Sequence, residues 1–170
     1  MEEPFLQIAG IIRESIVDGP GIRFTVFCQG CPHHCPGCHN PQTHPFTGGQ
    51  KVSVSRLVEE MKKNPLLQGA TFSGGEPFCQ AGGYAALADA VHGMGKDVFC
   101  YSGWTLEELW EKAKTEPDVG KLLQKIDYLV DGRFVLAERD LTLQFRGSRN
   151  QRLLDMKKSR AAGKAVLAEL

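Results

Sequence analysis

Apolar side chains recur at i, i+3, i+4 and i+7 in three places along the chain, and each predicts a helix with one buried face. Val54, Leu57, Val58 and Met61 make the first, with serines in front and Asn64-Pro65 behind as the stop. Tyr84, Leu87, Ala88 and Val91 make the second, closed by Gly93 and Gly95. Leu106, Leu109, Trp110 and Ala113 make the third, and Thr105 with Glu108 forms a capping box at its start. Between the helices lie short apolar runs without alternation, at 22–28, 70–73, 98–101 and 128–130. Runs of that kind suit parallel strands covered on both faces.

The resulting order of strand, helix, strand, helix, strand, helix, strand predicts an α/β fold with a parallel sheet. A closed eight-fold barrel takes about 250 residues, and this chain has 170. The expectation is an incomplete, open (β/α) barrel whose parallel sheet has five or six units, as a single domain over residues 1–170. Composition narrows the setting. Lys plus Arg and Asp plus Glu both number 20, so no net field draws the chain to nucleic acid or to an anionic membrane. The first five residues, with two acids and a proline, reverse the basic and apolar plan of a signal peptide. No apolar run approaches the roughly 20 residues of a membrane span. A cytoplasmic location is the expectation, and there the six cysteines stay reduced as ligands or core residues.

The chemistry concentrates in Cys31-Pro-His-His-Cys35-Pro-Gly-Cys38 and in Gly74-Gly75-Glu76-Pro77, each directly after an expected strand. Parallel sheets place their sites at that carboxyl edge. Three thiols in eight residues can hold a four-iron cluster by three irons and leave the fourth open to a ligand that is not protein. On spacing alone a structural zinc site remains the alternative, with Cys28 and His33, His34 or His39 completing a tetrahedron. Cys28, Cys79 and Cys100 stand apart from the triplet and read as packing residues.

Taken in this order, the cysteine triplet and the Gly-Gly-Glu-Pro loop resemble the radical S-adenosylmethionine superfamily. The resemblance implies that Cys31, Cys35 and Cys38 ligate a [4Fe–4S] cluster whose open iron is chelated by S-adenosylmethionine. It further implies that Gly74, Gly75 and Glu76 position the methionyl end, with the backbone of Gly37, Cys38 and His39 near the adenine. Four further stretches narrow the resemblance to the activating enzymes of glycyl-radical enzymes, and among them to the activating proteins of anaerobic ribonucleoside-triphosphate reductase. They are Ser15-Ile16-Val17-Asp18-Gly19-Pro20-Gly21-Ile22-Arg23, the cluster loop from Gly30 through Pro41, Val130-Asp131-Gly132-Arg133-Phe134, and Phe145-Arg146-Gly147-Ser148-Arg149-Asn150-Gln151-Arg152. By composition alone, the first and third are turns and the arginines of the last are a solvated face.

Ser102, at the carboxyl edge after the third strand, reads as a hydroxyl touching the cofactor or as a turn into a helix. The resemblance spans about residues 5–155 and places Asp131 at a strand end facing the cofactor. Its implied reaction is reductive cleavage of S-adenosylmethionine to methionine and a 5′-deoxyadenosyl radical, which takes a hydrogen atom from a backbone glycine of the reductase large subunit. A flavodoxin-type protein is the implied electron donor. No side-chain acid, base or nucleophile is implied, because cluster and cofactor carry the chemistry.

Overall fold

A computed structural model describes residues 4–33, 35–38 and 41–169. Four strands form the centre: β2 (Arg23–Cys28), β4 (Gly69–Gly74), β5 (Asp97–Tyr101) and β6 (Tyr128–Asp131). They pair in parallel in that order. They are the four apolar runs of the sequence, and they run without alternation because helices or loops cover both faces. Ala70, Phe72, Val98, Cys100 and Leu129 have no exposed surface.

Three further strands border this centre, all antiparallel. β1 (Phe5–Ser15) pairs with β2, β3 (Gln50–Ser53) with β1, and β7 (Arg152–Asp155) with β6. The sheet has seven strands in the order β3-β1-β2-β4-β5-β6-β7. The expectation of a wholly parallel sheet of five or six units is therefore corrected to a mixed sheet. In β1 the alternation is broken by register shifts between Ile8 and Gly10 and again between Ile12 and Ser15. A bulge flips the buried phase, so no simple period survives in the sequence. β3 and β7 are four residues each, at the two ends of the sheet order, and their partners rather than their patterns make them strands.

The three expected helices are α1 (Val54–Lys62), α2 (Ala81–Gly93) and α3 (Leu106–Ala113). α2 buries Tyr84, Leu87, Ala88 and Val91. Tyr84 stacks at 4.5 Å on Phe72 and donates to the Val26 carbonyl at 3.3 Å, which fixes α2 over β2 and β4. Each such large side chain, moved out of water, contributes roughly 1.5–3 kcal/mol. Two short helices add to these, α4 (Pro117–Leu123) and α5 (Met156–Ala162). Among the described residues no helix is long and apolar enough to cross a membrane.

The Thr105 capping box is formed, with the Thr105 hydroxyl accepting from the Glu108 amide at 3.2 Å and the Glu108 carboxylate accepting from the Thr105 amide at 3.2 Å. Thr105→Ala should lower stability by about 1 kcal/mol, read as a melting point lower by roughly 2–4 °C in calorimetry. An unchanged melting point would mean that packing of Leu106 and Leu109 alone sets the start of α3.

Candidate active site

The four parallel strands end at Cys28, Gly74, Tyr101 and Asp131. Each is followed by a segment that the sequence marks as chemically active. After β2, a loop leaves the sheet and returns to it with its base tied. Gly30 donates to Thr43 O at 2.7 Å, Cys31 to His44 O at 3.0 Å, and the Gln29 amide to Gln42 O and Pro45 O. At its far side Cys38 N donates to Cys35 O at 3.1 Å. Pro36 sits at the second position of that turn and Gly37 at the third with φ +75°, the pattern of a type II turn. The turn brings Cys35 and Cys38 to one side.

After β4, the Gly-Gly-Glu-Pro turn folds back against the start of the same loop. Gly75 N donates to Cys28 O at 2.9 Å and Glu76 N to Gly30 O at 2.8 Å. A Cβ on Gly75 would lie 2.2 Å from Gly30 O, and one on Gly74 (φ +95°) 2.5 Å from Cys28 N. The two glycines therefore let one loop pass over the other, before any ligand is considered.

These loops enclose a cavity of about 420 Å³ lined by Cys31, Cys35, Cys38, Gly74, Gly75 and Ser102, among others. The three cysteines are thiols, with no disulfide among them. Among the described residues no three Cys, His, Asp or Glu side chains close round a single metal ion. The cysteines of the triplet share a cavity wall instead of a point. The other cysteines lie elsewhere. Cys28 and Cys100 are fully buried, and burial pushes both thiols far above their ordinary range. Cys79 lines a different hollow beside the start of α2, and its thiol is pushed up to about 12, chiefly by desolvation.

Not every residue singled out in the sequence reaches the cavity. His39 lies outside the described residues, as does His34. Gly37 is turned toward Leu136, whose Cδ1 would lie 2.9 Å from a Cβ there. Glu76 has no exposed surface and does not line the cavity. Its Oε1 accepts from His33 Nε2 (2.7 Å), Ser102 Oγ (2.9 Å) and Gly103 N (2.7 Å), and its Oε2 from Phe78 N (3.1 Å). The Asp131 carboxylate, also buried, accepts from Leu106 N at 2.7 Å and from Arg152 Nε at 3.0 Å, so it joins the start of α3 to β7. It does not line the cavity, although the neighbouring Gly132 does.

Other lining residues were marked in the sequence only through the family resemblance, and Leu141 not at all. Val17 and Asp18 come from the loop before β2, and Phe134, Leu141, Phe145 and Arg146 from the segment after β6. Phe145 holds φ +62°, rare for a residue with a side chain, and packs edge-on against Phe99 at 5.6 Å. Its neighbours form a self-bonded loop with Gln151 as hub. The Gln151 side chain accepts from Gly147 N at 2.9 Å and donates to Gly132 O at 3.0 Å, while Asn150 donates to Arg133 O at 2.8 Å. The Gly-Ser-Arg-Asn-Gln stretch thus stitches one wall of the cavity to the end of β6. Such a role is invisible in composition, which reads only a basic surface.

Residues 17–154 match the family described as the 4Fe-4S single cluster domain. The chain is 33% identical over 145 residues to the anaerobic ribonucleoside-triphosphate reductase-activating protein of Vibrio cholerae, covering 80% of this chain and 89% of that one. It is 35% identical over 144 residues to the protein of the same name from Salmonella typhi, covering 80% and 90%. Among solved structures, QueE from Escherichia coli aligns with 59% of this chain and 53% of its own at a TM-score of 0.45 and 16% identity, a likeness too loose to bear on function. With its three thiols and strand-end glycines around one cavity, the chain belongs to the 4Fe-4S single cluster domain family and, within it, to the anaerobic ribonucleoside-triphosphate reductase-activating proteins.

Proposed function

We propose that this protein activates an anaerobic ribonucleoside-triphosphate reductase by generating a glycyl radical on it, through reductive cleavage of S-adenosylmethionine at a [4Fe–4S] cluster. The observation that carries this reading is the single cavity at the carboxyl edge of the parallel strands, lined together by Cys31, Cys35, Cys38 and the Gly74-Gly75 turn. The donor set suits the cluster. Three thiols on one wall can each take one iron, and the family to which the chain belongs is defined by such a centre. The other cysteines suit it too, because Cys28, Cys79 and Cys100 do not line this cavity.

In this reading Cys31, Cys35 and Cys38 hold the cluster, and Gly74 and Gly75 offer backbone to the methionyl end of S-adenosylmethionine. Glu76 holds that turn in place from behind, through the four hydrogen bonds of its carboxylate. The Cys35–Cys38 turn, with Gly37, Cys38 and His39, borders the adenine. Ser102 and Asp131 support the site through Glu76 and the start of α3. When bound, the cluster and S-adenosylmethionine supply the electron transfer and the carbon radical that takes hydrogen from glycine. The protein's share is to ligate, to orient and to keep water out.

We read the sheet as an incomplete barrel with an open side, through which a glycine loop of the reductase enters. Val17 and Leu141 line the cavity while remaining 69% and 77% exposed, an apolar rim suited to a protein partner. A flavodoxin-type donor in the cytoplasm would supply the electron.

The test is an anaerobic mixture of this protein, S-adenosylmethionine, a reductant and the reductase. A glycyl doublet should appear in the paramagnetic resonance spectrum, with 5′-deoxyadenosine released in step. Deoxyadenosine without a radical on the reductase would remove the partner and keep the chemistry. No cleavage by a protein with an intact, reduced cluster would remove the enzymatic reading altogether.

A further inference from the structure

We propose that His33, in the middle of the cysteine loop, is a positioning residue that locks this loop onto the Glu76 carboxylate and so helps set the distance between the cluster and its ligand. This role rests on the cluster reading above. The ring is nearly enclosed, with its side chain 4% exposed. Its Nε2 lies 2.7 Å from Glu76 Oε1, and a carboxylate can only accept, so the ring donates. Trp104 packs edge-on at 4.7 Å. Gly103 lies flat beneath the ring, where an added Cβ would stand 2.3 Å from Cδ2. A histidine meets both demands at once, an apolar ring for the slot and a donor at its tip.

Three loops meet at that carboxylate. His33 brings the loop after β2, Glu76 and the Phe78 amide the turn after β4, and Ser102 with Gly103 the loop after β5. The cysteine loop is tied at its base through Gly30 and Cys31, and its far turn is closed by Cys38 N on Cys35 O. His33 carries the stretch between those ties onto the body of the fold. The His33–Glu76 bond thus joins the cysteine loop directly to the turn that carries Gly74 and Gly75. Groups that orient ligands from behind typically account for 10–100-fold in affinity or activity.

The test uses full-length protein with its cluster reconstituted anaerobically, in three forms: unaltered, His33→Ala and His33→Gln. Glutamine keeps an N–H donor near the position of Nε2. His33→Ala should retain the iron and sulfide of the unaltered protein, since all three thiols remain. Its affinity for S-adenosylmethionine should fall by about 10–100-fold. The change that S-adenosylmethionine causes in the resonance spectrum of its reduced cluster should shrink or broaden. His33→Gln should restore both most of the way. His33→Ala matching the unaltered protein in affinity and spectrum would overturn the role while leaving the cluster reading intact. Iron lost equally from both variants would also overturn it, by making the imidazole itself indispensable. If the unaltered protein takes up no iron, the cluster reading falls and this role with it.

Discussion

Alanine at Cys31, Cys35 or Cys38 abolishes iron uptake and with it all cleavage of S-adenosylmethionine, while alanine at Cys28 or Cys100 leaves iron per chain unchanged. That is the expected result of anaerobic reconstitution followed by iron and sulfide assay. The reason for the first half is valence. In the proposed reading each thiolate of the triplet takes its own iron, and a cluster left with two protein ligands is open to solvent and to loss. The reason for the second half is burial. Cys28 has no exposed surface, its thiol is held neutral by desolvation first and by the nearby Glu76 charge next, and it packs beside Tyr84. Removing its sulfur leaves a small void worth roughly 1 kcal/mol, a loss of stability and not of metal. Iron lost in Cys28→Ala, or zinc found in place of iron, would restore the tetrahedral alternative.

The second large effect concerns folding. Arg23→Met should lower stability by about 3–5 kcal/mol, the usual cost of breaking a buried charge pair, and with it the melting point by roughly 10 °C. Arg23 is the largest fully buried side chain. Its Nε donates to Thr71 Oγ1 at 2.8 Å, Nη1 to Pro20 O at 3.0 Å and Nη2 to Ala70 O at 2.8 Å, and Asp97 supplies the counter-charge at 2.5 Å. Thr71 in turn donates to Asp18 O at 2.6 Å. The loop that brings Val17 and Asp18 to the cavity is thus braced by this guanidinium, together with the Ser15 and Thr25 hydroxyls that donate to the Asp18 carboxylate. Gly19 (φ +127°) is required beside it, since a Cβ there would lie 2.8 Å from Arg23 Cδ. Arg23→Lys should recover little, because an ammonium cannot reproduce the planar fork. Thermal and guanidinium unfolding of the metal-free protein measure both variants. A fall below about 2 °C for Arg23→Met, under 1 kcal/mol at this size, would show that apolar packing around Phe99 suffices without the charge.

What was legible in the sequence was local or periodic. The stripes of α1, α2 and α3, the Thr105–Glu108 box and the four unbroken apolar runs all came from spacing within ten or so residues, as did the cysteine triplet. Those short-range patterns settle which segments become helices and which become doubly covered strands, because burial of one face or of both leaves a period in the chain. With the family's motifs in order, they also settle the kind of chemistry. Partners distant along the chain were not legible. β1, β3 and β7 are strands because β2, β1 and β6 pair with them, and a bulge in β1 erases the one period that would have shown it. Nothing in Cys-Pro-His-His-Cys says that His33 will meet a carboxylate 43 residues on, or that Gln151 will brace the end of β6. Likewise Asp131 gives no sign that its carboxylate will receive Leu106 and Arg152. A polar side chain leaves no periodic trace of its partner, since one hydrogen bond fixes one pair and repeats nowhere. The sequence by itself determined the elements of the central layer and the spacing of the three candidate ligands. Only the tertiary structure decided which buried donors and acceptors hold those ligands in place, because satisfying them depends on where distant loops cross.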